Sequence, residues 1–353
     1  MKRTSIAMAA AAMLTAAGVH AQSNVQMYGL LDLGVDYMSD AAANGKSVTR
    51  VSSGGMNTSR WGLRGSEDLG GGLKAVWRLE GGILMDTGAQ DGNLFKRQAT
   101  VGLEGAYGSL LLGRSFTSVY DTVIRFDPMG FAPFYSWATS GNATGPSKYG
   151  MTTGFDNLVK YAGSTGAFKY GVTYAFGEQA ASSEDSAKIA AAVSYEANGL
   201  GLMGTWERIN GNTLVATGRR DNTNAYHLGM YYETGPFKVW LAGRNYGLES
   251  GKAATPDVKA NTYWTGLAYK PQPNVTLTGA IYYMDVRNVA AGKDADPIMY
   301  VARYRYALSK RTDLYATVGY AKAKHGQLVG LSRDDAGFAD AQHGAMVGIQ
   351  HRF

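Results

Sequence analysis

The chain has no cysteine in 353 residues, which excludes a disulfide-stapled scaffold and thiol catalysis. Charge is sparse too: 18% of the residues are Asp, Glu, Lys or Arg, and the formal net charge is only +6. No run of about five like charges occurs, so neither a nucleic-acid-binding arm nor an acidic tail is present. Beyond the N-terminus no apolar stretch approaches the roughly eighteen residues of a membrane-spanning helix. Histidine is rare. After residue 21 there are only His227, His325, His343 and His351. Their spacing matches no metal-ligand pattern, and no serine partner is evident for the strand positions His227 and His351. No catalytic residue, metal site or cofactor is therefore expected, and an enzyme is the least favoured class.

Glycine and tyrosine, by contrast, are abundant, at 47 and 23 residues. This composition suits an all-β chain with many turns. Lys2 and Arg3 precede an apolar segment from Ile6 to Val19, and Val19-His20-Ala21 is a small-x-small cleavage site. Residues 1–21 thus read as a secretory signal peptide, to be set aside in fold reasoning. That leaves residues 22–353 as the folded unit.

Alternation at period two runs through most of that unit. In the first stretch Val25, Met27, Leu31, Leu33, Val35 and Tyr37 share one face, and Gln26, Asp32 and Asp36 the other. Trp61 and Leu63 oppose Arg60 and Arg64, and Trp77 and Leu79 oppose Arg78 and Glu80. Similar segments recur to the end, where Ala345, Val347, Ile349, His351 and Phe353 share a face. Short Gly, Asn or Pro turns alternate with longer polar links (39–56, 86–94, 178–186, 210–223, 248–259, 287–296, 324–341). Charges at mid-strand are cheap in a wet lumen and costly in a dry core. The pattern is that of an up-and-down antiparallel transmembrane β-barrel, with short turns on one side of the membrane and long loops on the other.

One link is exceptional. Residues 115–154 lack alternation and hold three of the eight prolines, with five aromatics between Phe126 and Trp137. A loop this long implies a function, and the expected place for it is inside the barrel, narrowing the hole.

Several stretches resemble the Gram-negative general porins, particularly the β-proteobacterial branch. NVQMYGLLDLGVDY resembles the family's first strand, SRWGLRGSEDLGGGLKAVWRLE its second and third, LFKRQATVGLEGAYGSLLLGRSF its fourth and fifth, and the terminal HRF its assembly signal. The resemblance implies a sixteen-stranded barrel, a homotrimer in outer-membrane lipid, with the third long loop folded into each pore. It also implies recognition by barrel-assembly machinery through Phe353. The implied function is passive diffusion of small hydrophilic solutes and ions. A pore selects by fixed charges at a constriction. The resemblance places wall arginines at Arg60 and Arg97 and a weaker match at Lys160, and parity adds Arg78. Strict alternation back from Val101 would turn Arg97 outward, so a lumenal Arg97 requires a bulge near the rim. On the loop, Asp121 matches the family's loop start, Asp127 lies among the aromatics, and Arg125 is close by. The acidic motif of the enteric branch is missing, which tilts the expected preference toward anions. Arg114 resembles a trimer-interface residue that pairs with an acid on the neighbour's second loop, here Asp86 or Asp91. Two alternatives stay open: a substrate-specific channel using Tyr28, Tyr231, Trp240 and Tyr282 as an inner aromatic slide, and a barrel adhesin or receptor acting through its outer loops.

Overall fold

The computed structural model describes residues 24–139, 149–333, 335 and 337–353. The expected signal peptide lies outside the described residues, as does the 140–148 part of the expected loop.

The strands are β1 (Asn24–Met38), β2 (Val48–Ser53), β3 (Arg60–Gly70), β4 (Leu73–Leu84), β5 (Ala89–Gln90), β6 (Gln98–Gly105), β7 (Gly108–Phe116), β8 (Gly154–Thr165), β9 (Phe168–Ala175) and β10 (Lys188–Ala197). They continue with β11 (Leu200–Asn210), β12 (Asn222–Thr234), β13 (Phe237–Glu249), β14 (Val258–Gln272), β15 (Val275–Arg287), β16 (Ile298–Ala307), β17 (Thr312–Lys322) and β18 (Ala341–Arg352). Neighbouring barrel strands pair antiparallel throughout, and β1 closes the sheet on β18 in the register Leu30↔Arg352 to Met38↔Gly344. The first half of β1 pairs with β3 and the second half with β2. β2 and β3 are therefore one barrel strand, interrupted at residues 54–59, and β5 is a two-residue rung within a loop. The result is a closed sixteen-stranded antiparallel barrel. β2 lies inside what reads in sequence as the 39–56 link. It is missed there because its outward face is only Thr49 and Val51, too short to show a period.

The distribution of polarity is inverted relative to a soluble protein. Large apolar side chains on the outward parity are exposed, for example Val101 at 59%, Leu228 at 73% and Val347 at 60%. The inward parity instead buries Asp32, Glu80, Glu207, His227, Arg244 and Asp313. An exposed apolar belt of this extent marks a surface that meets hydrocarbon. Among the described residues no helix is long and apolar enough to cross a membrane. The crossing is made by strands.

The seam between the first and last strands depends on a close approach. Gly29 and Phe353 exchange both backbone hydrogen bonds, at 3.0 and 3.1 Å. A Cβ on Gly29 would lie 2.3 Å from Cζ of the Phe353 ring and 2.9 Å from the Arg60 carbonyl oxygen. Only glycine leaves room for the terminal ring to lie across the seam. Gly29→Val should therefore destabilise the barrel by about 1–3 kcal/mol, the usual cost of overpacking. Denaturant titration of protein refolded into lipid vesicles measures this, and Gly29→Val combined with Phe353→Ala should recover part of the loss.

Candidate functional site

The link after β7 starts with a short helix, α1 (Ser118–Val123), capped by Thr117, whose side chain accepts a hydrogen bond from the Tyr120 amide at 3.0 Å. A single 3-10 turn follows (Ile124–Phe126). From Phe126 to Ala138 nearly every residue is buried, and Tyr135, Trp137 and Ala138 are at 0% exposure. The segment packs against inward-pointing side chains of the far wall. Trp240 Nε1 donates to the Arg125 carbonyl at 3.2 Å, Trp264 Nε1 to the Phe126 carbonyl at 2.9 Å, and Arg303 to the Met129 carbonyl at 3.3 Å. Arg244, buried, donates to the Ala138 carbonyl at 2.6 Å. Trp240 and Tyr282 do share the inward parity, but they grip this segment and do not form a slide. Tyr28 and Tyr231 are likewise engaged, donating to Glu80 and Glu196 at 2.8 and 2.9 Å.

Asp127 is the centre of this attachment. Its carboxylate accepts from the Phe131 amide at 2.7 Å, Ser136 Oγ at 2.7 Å, the Met129 amide at 3.3 Å and the Tyr282 hydroxyl. Burial pushes its pKa up from the ordinary carboxylate range, against the pull of these donors. The expectation that Asp127 lines the narrow passage is thus corrected: it is 3% exposed, and its oxygens hold the segment together.

On the opposite wall a cavity of about 1060 Å³ brings Arg60, Arg78 and Arg97 together, with Arg333 from the link before β18. Arg60 follows the interruption at 54–59, which Asp32 organises. The Asp32 carboxylate accepts from the amides of Gly55, Met56 and Asn57 at 3.0, 3.1 and 2.9 Å and from the Tyr315 hydroxyl at 2.7 Å. Arg60 itself donates to the Thr58 carbonyl at 3.1 Å. Arg97 precedes the first paired residue of β6, so the pleat does not dictate its direction. It turns inward, with Nε 2.7 Å from Glu80 Oε1 and its guanidinium 5.0 Å from the Phe116 ring centre. No bulge is needed. Arg78 donates only weakly to Gln98, at 3.4 Å. It also lines a second cavity of about 310 Å³ toward the short turns, as does Gln98. Among the described residues neither Arg60 nor Arg78 has a carboxylate at ion-pair distance, whereas Arg97 does.

Of the remaining expected residues, Arg114 and Asp91 also line the arginine cavity, and the others lie elsewhere. Asp121, on α1, pairs with Lys160, whose Nζ also donates to the Phe116 carbonyl at 2.9 Å. Both line a separate cavity of about 490 Å³ beside the short turns, not the arginine cavity. Arg125 pairs with Glu196 of β10 and donates to Ser194 at 3.1 Å, so it adds no free charge. Arg114 sits at the bulge in β7 and pairs with Asp156 of its own chain. Asp91 is 2.5 Å from Lys96, and Asp86 lies exposed beyond β4. Sequence reasoning missed Arg333, Arg303 and the anchoring role of Trp264. Arg303 and Trp264 sit on the inward parity, which is the signal that could have found them. Arg333 lies in a link without period.

Comparison with known proteins fits this architecture. The family described as Gram-negative porin matches residues 7–326. The chain is 35% identical to outer membrane porin protein 32 of Delftia acidovorans, over 94% of this chain and 92% of that one. It is 30% identical to an outer membrane porin protein of Bordetella pertussis, over 91% of this chain and 94% of that one. Among solved structures, the anion-selective porin from Comamonas acidovorans superposes with a TM-score of 0.80 at 28% identity, covering 94% of this chain and all of that one. The trimer form of OmpT from Vibrio cholerae shares the fold, at a TM-score of 0.70 and 16% identity over 94% and 99%.

Asp127→Ala should leave four donors without their acceptor. Hydrogen bonds to a charged group contribute about 1.5–3 kcal/mol each, and their loss should free residues 117–139 locally. Amide exchange across that segment should accelerate while the β10–β16 amides keep their protection, because the strands pair with one another and not with the segment.

Proposed function

The chain belongs to the Gram-negative porin family, and from that premise we propose that it is an anion-preferring diffusion channel whose selectivity is set by Arg60 and Arg78. Its relatives are outer membrane porins, and the outer membrane is where this barrel functions. The passage runs between the arginine wall, on β3, on β4 and just before β6, and the segment 117–139, which narrows it. The observation carrying this reading is an imbalance of charge. Two wall arginines face the cavity with no carboxylate at ion-pair distance among the described residues. The acids that share its lining, Glu80, Asp91 and Asp335, pair with Arg97, Lys96 and Arg50. Both acids of the segment are turned to other work, Asp127 inward and Asp121 to Lys160. The Comamonas relative, an anion-selective porin, points the same way.

The magnitudes agree. A unit charge about 4 Å from another feels about 4 kcal/mol at an effective dielectric of about 20, several times thermal energy. At about 0.15 M salt, charges more than about 8 Å away are screened. Only cations at the narrow passage can therefore set preference. Arg60→Ala, and more strongly Arg60→Glu, should move the salt-gradient reversal potential toward cations, with a shift that shrinks as ionic strength rises. Lys252→Glu, in the link between β13 and β14, should leave it unmoved. The opposite result would place the filter in the outer vestibule.

The working unit in this reading is a homotrimer, with Arg114, Asp86 and Asp91 near the contact between subunits. The self-pairing of Arg114 with Asp156 makes Arg114 an organiser of that surface from within its own chain. Phe353, exposed at 42% on the outward face, serves as the terminal assembly signal. Phe353→Ala should lower the yield of heat-modifiable trimer in cells and leave unchanged the conductance of the channels that do assemble. Wild-type yield would remove the signal reading.

A further inference from the structure

In the same passage, the wall that meets the arginines is built of rings. Phe116 and Tyr120 stack at 4.3 Å between centres and 14° between planes, and Phe131 lies 5.0 Å from Tyr120 at a tilt of 60°. The Arg97 guanidinium covers the far end of the stack at Phe116. Ile124 and Pro133 extend the apolar surface, and all of these line the cavity that holds Arg60 and Arg78. Phe116, Tyr120 and Ile124 are partly exposed there.

The segment's backbone is arranged to present this surface. Phe131 has φ of 61°, a left-handed conformation that a bulky residue seldom adopts. The Asp127 carboxylate holds it there by accepting the Phe131 amide at 2.7 Å. A carboxylate of the segment is thus spent on fixing an aromatic ring beside the arginines instead of neutralising them. Arg60, with no carboxylate at ion-pair distance among the described residues, beside a neutral aromatic wall has a chemical complement: an anion with a flat apolar body.

Resting on the anion-channel reading above, we propose that the passage is a binding site for small aryl carboxylates, whose carboxylate is taken by Arg60 and whose ring lies against Tyr120 and Ile124. Guanidinium groups hold a carboxylate with directed, charge-assisted hydrogen bonds. An aromatic body adds offset or edge contacts with the ring stack and removes apolar surface from water. A compact anion such as acetate meets only the first half of the site.

The test uses the full chain in planar bilayers, with the chloride current titrated by phenylacetate and by acetate at fixed ionic strength. The two probes carry one carboxylate each and differ by the ring. Half-blocking concentration should be about tenfold lower for phenylacetate, the equivalent of one good aromatic contact. Tyr120→Ala should bring the ratio between the probes to about twofold or less, and Tyr120→Phe should restore it, because the ring and not the hydroxyl makes the contact. Ile124→Ser provides a second variant if Tyr120→Ala assembles poorly, and should also narrow the ratio. Equal half-blocking concentrations in the wild type, or a ratio unmoved by every variant that assembles, would overturn the proposal. A wild-type reversal potential of cation-selective sign would instead overturn the anion-channel reading beneath it, so the two failures are distinct.

Discussion

In hydrocarbon there is no water to satisfy a backbone amide or carbonyl, and each unpaired group costs several kcal/mol. A β-chain can satisfy that constraint only by closing its sheet. The rest of this molecule follows from the closure: β1 must meet β18, Gly29 must admit Phe353, and every strand must put one parity into lipid and the other into the enclosed space. Charged side chains are thereby collected inside, where the chain can place them against one another and against solute.

Within that space, buried carboxylates act as structural pins. Asp32 holds the interruption between β2 and β3 that ends at Arg60. Glu80 ties Arg97 and Tyr28 together on the same wall. Asp127 gathers the turn at residues 127–136 and joins it to Tyr282 on β15. Each acid removes itself from the passage by doing so, or, for Glu80, is shared between two partners. Acids engaged in this way leave Arg60 and Arg78 with no carboxylate at ion-pair distance among the described residues, whatever the modest net charge of +6.

Much of this was legible in the sequence, for a definite reason. Period-two alternation is imposed by the pleat, so the barrel, the inward direction of Arg60 and Arg78, and the outward Phe353 could be read directly. Alternation fails where no ladder exists. Arg97 stands just outside β6 and points by virtue of its ion pair with Glu80, which its parity does not record. Asp127 takes its role from Tyr282, 155 residues away, and nothing local reveals that pairing. Trp240 shows its inward parity openly, yet its partner is a carbonyl of the loop, which makes it an anchor where the alternative reading had a slide. The sign of each side chain's direction is a local property; its partner is not.

The measurement that bears most directly on the account is the reversal potential of the wild-type channel across a tenfold potassium chloride gradient, repeated at several mean salt concentrations. Unpaired arginines at a narrow passage predict an anion-selective sign at every concentration, strongest at low salt and declining as the screening length contracts from about 30 Å at 0.01 M to about 3 Å at 1 M. A potential near zero at low salt, or one of cation-selective sign, would contradict the assignment of the arginine wall as the filter.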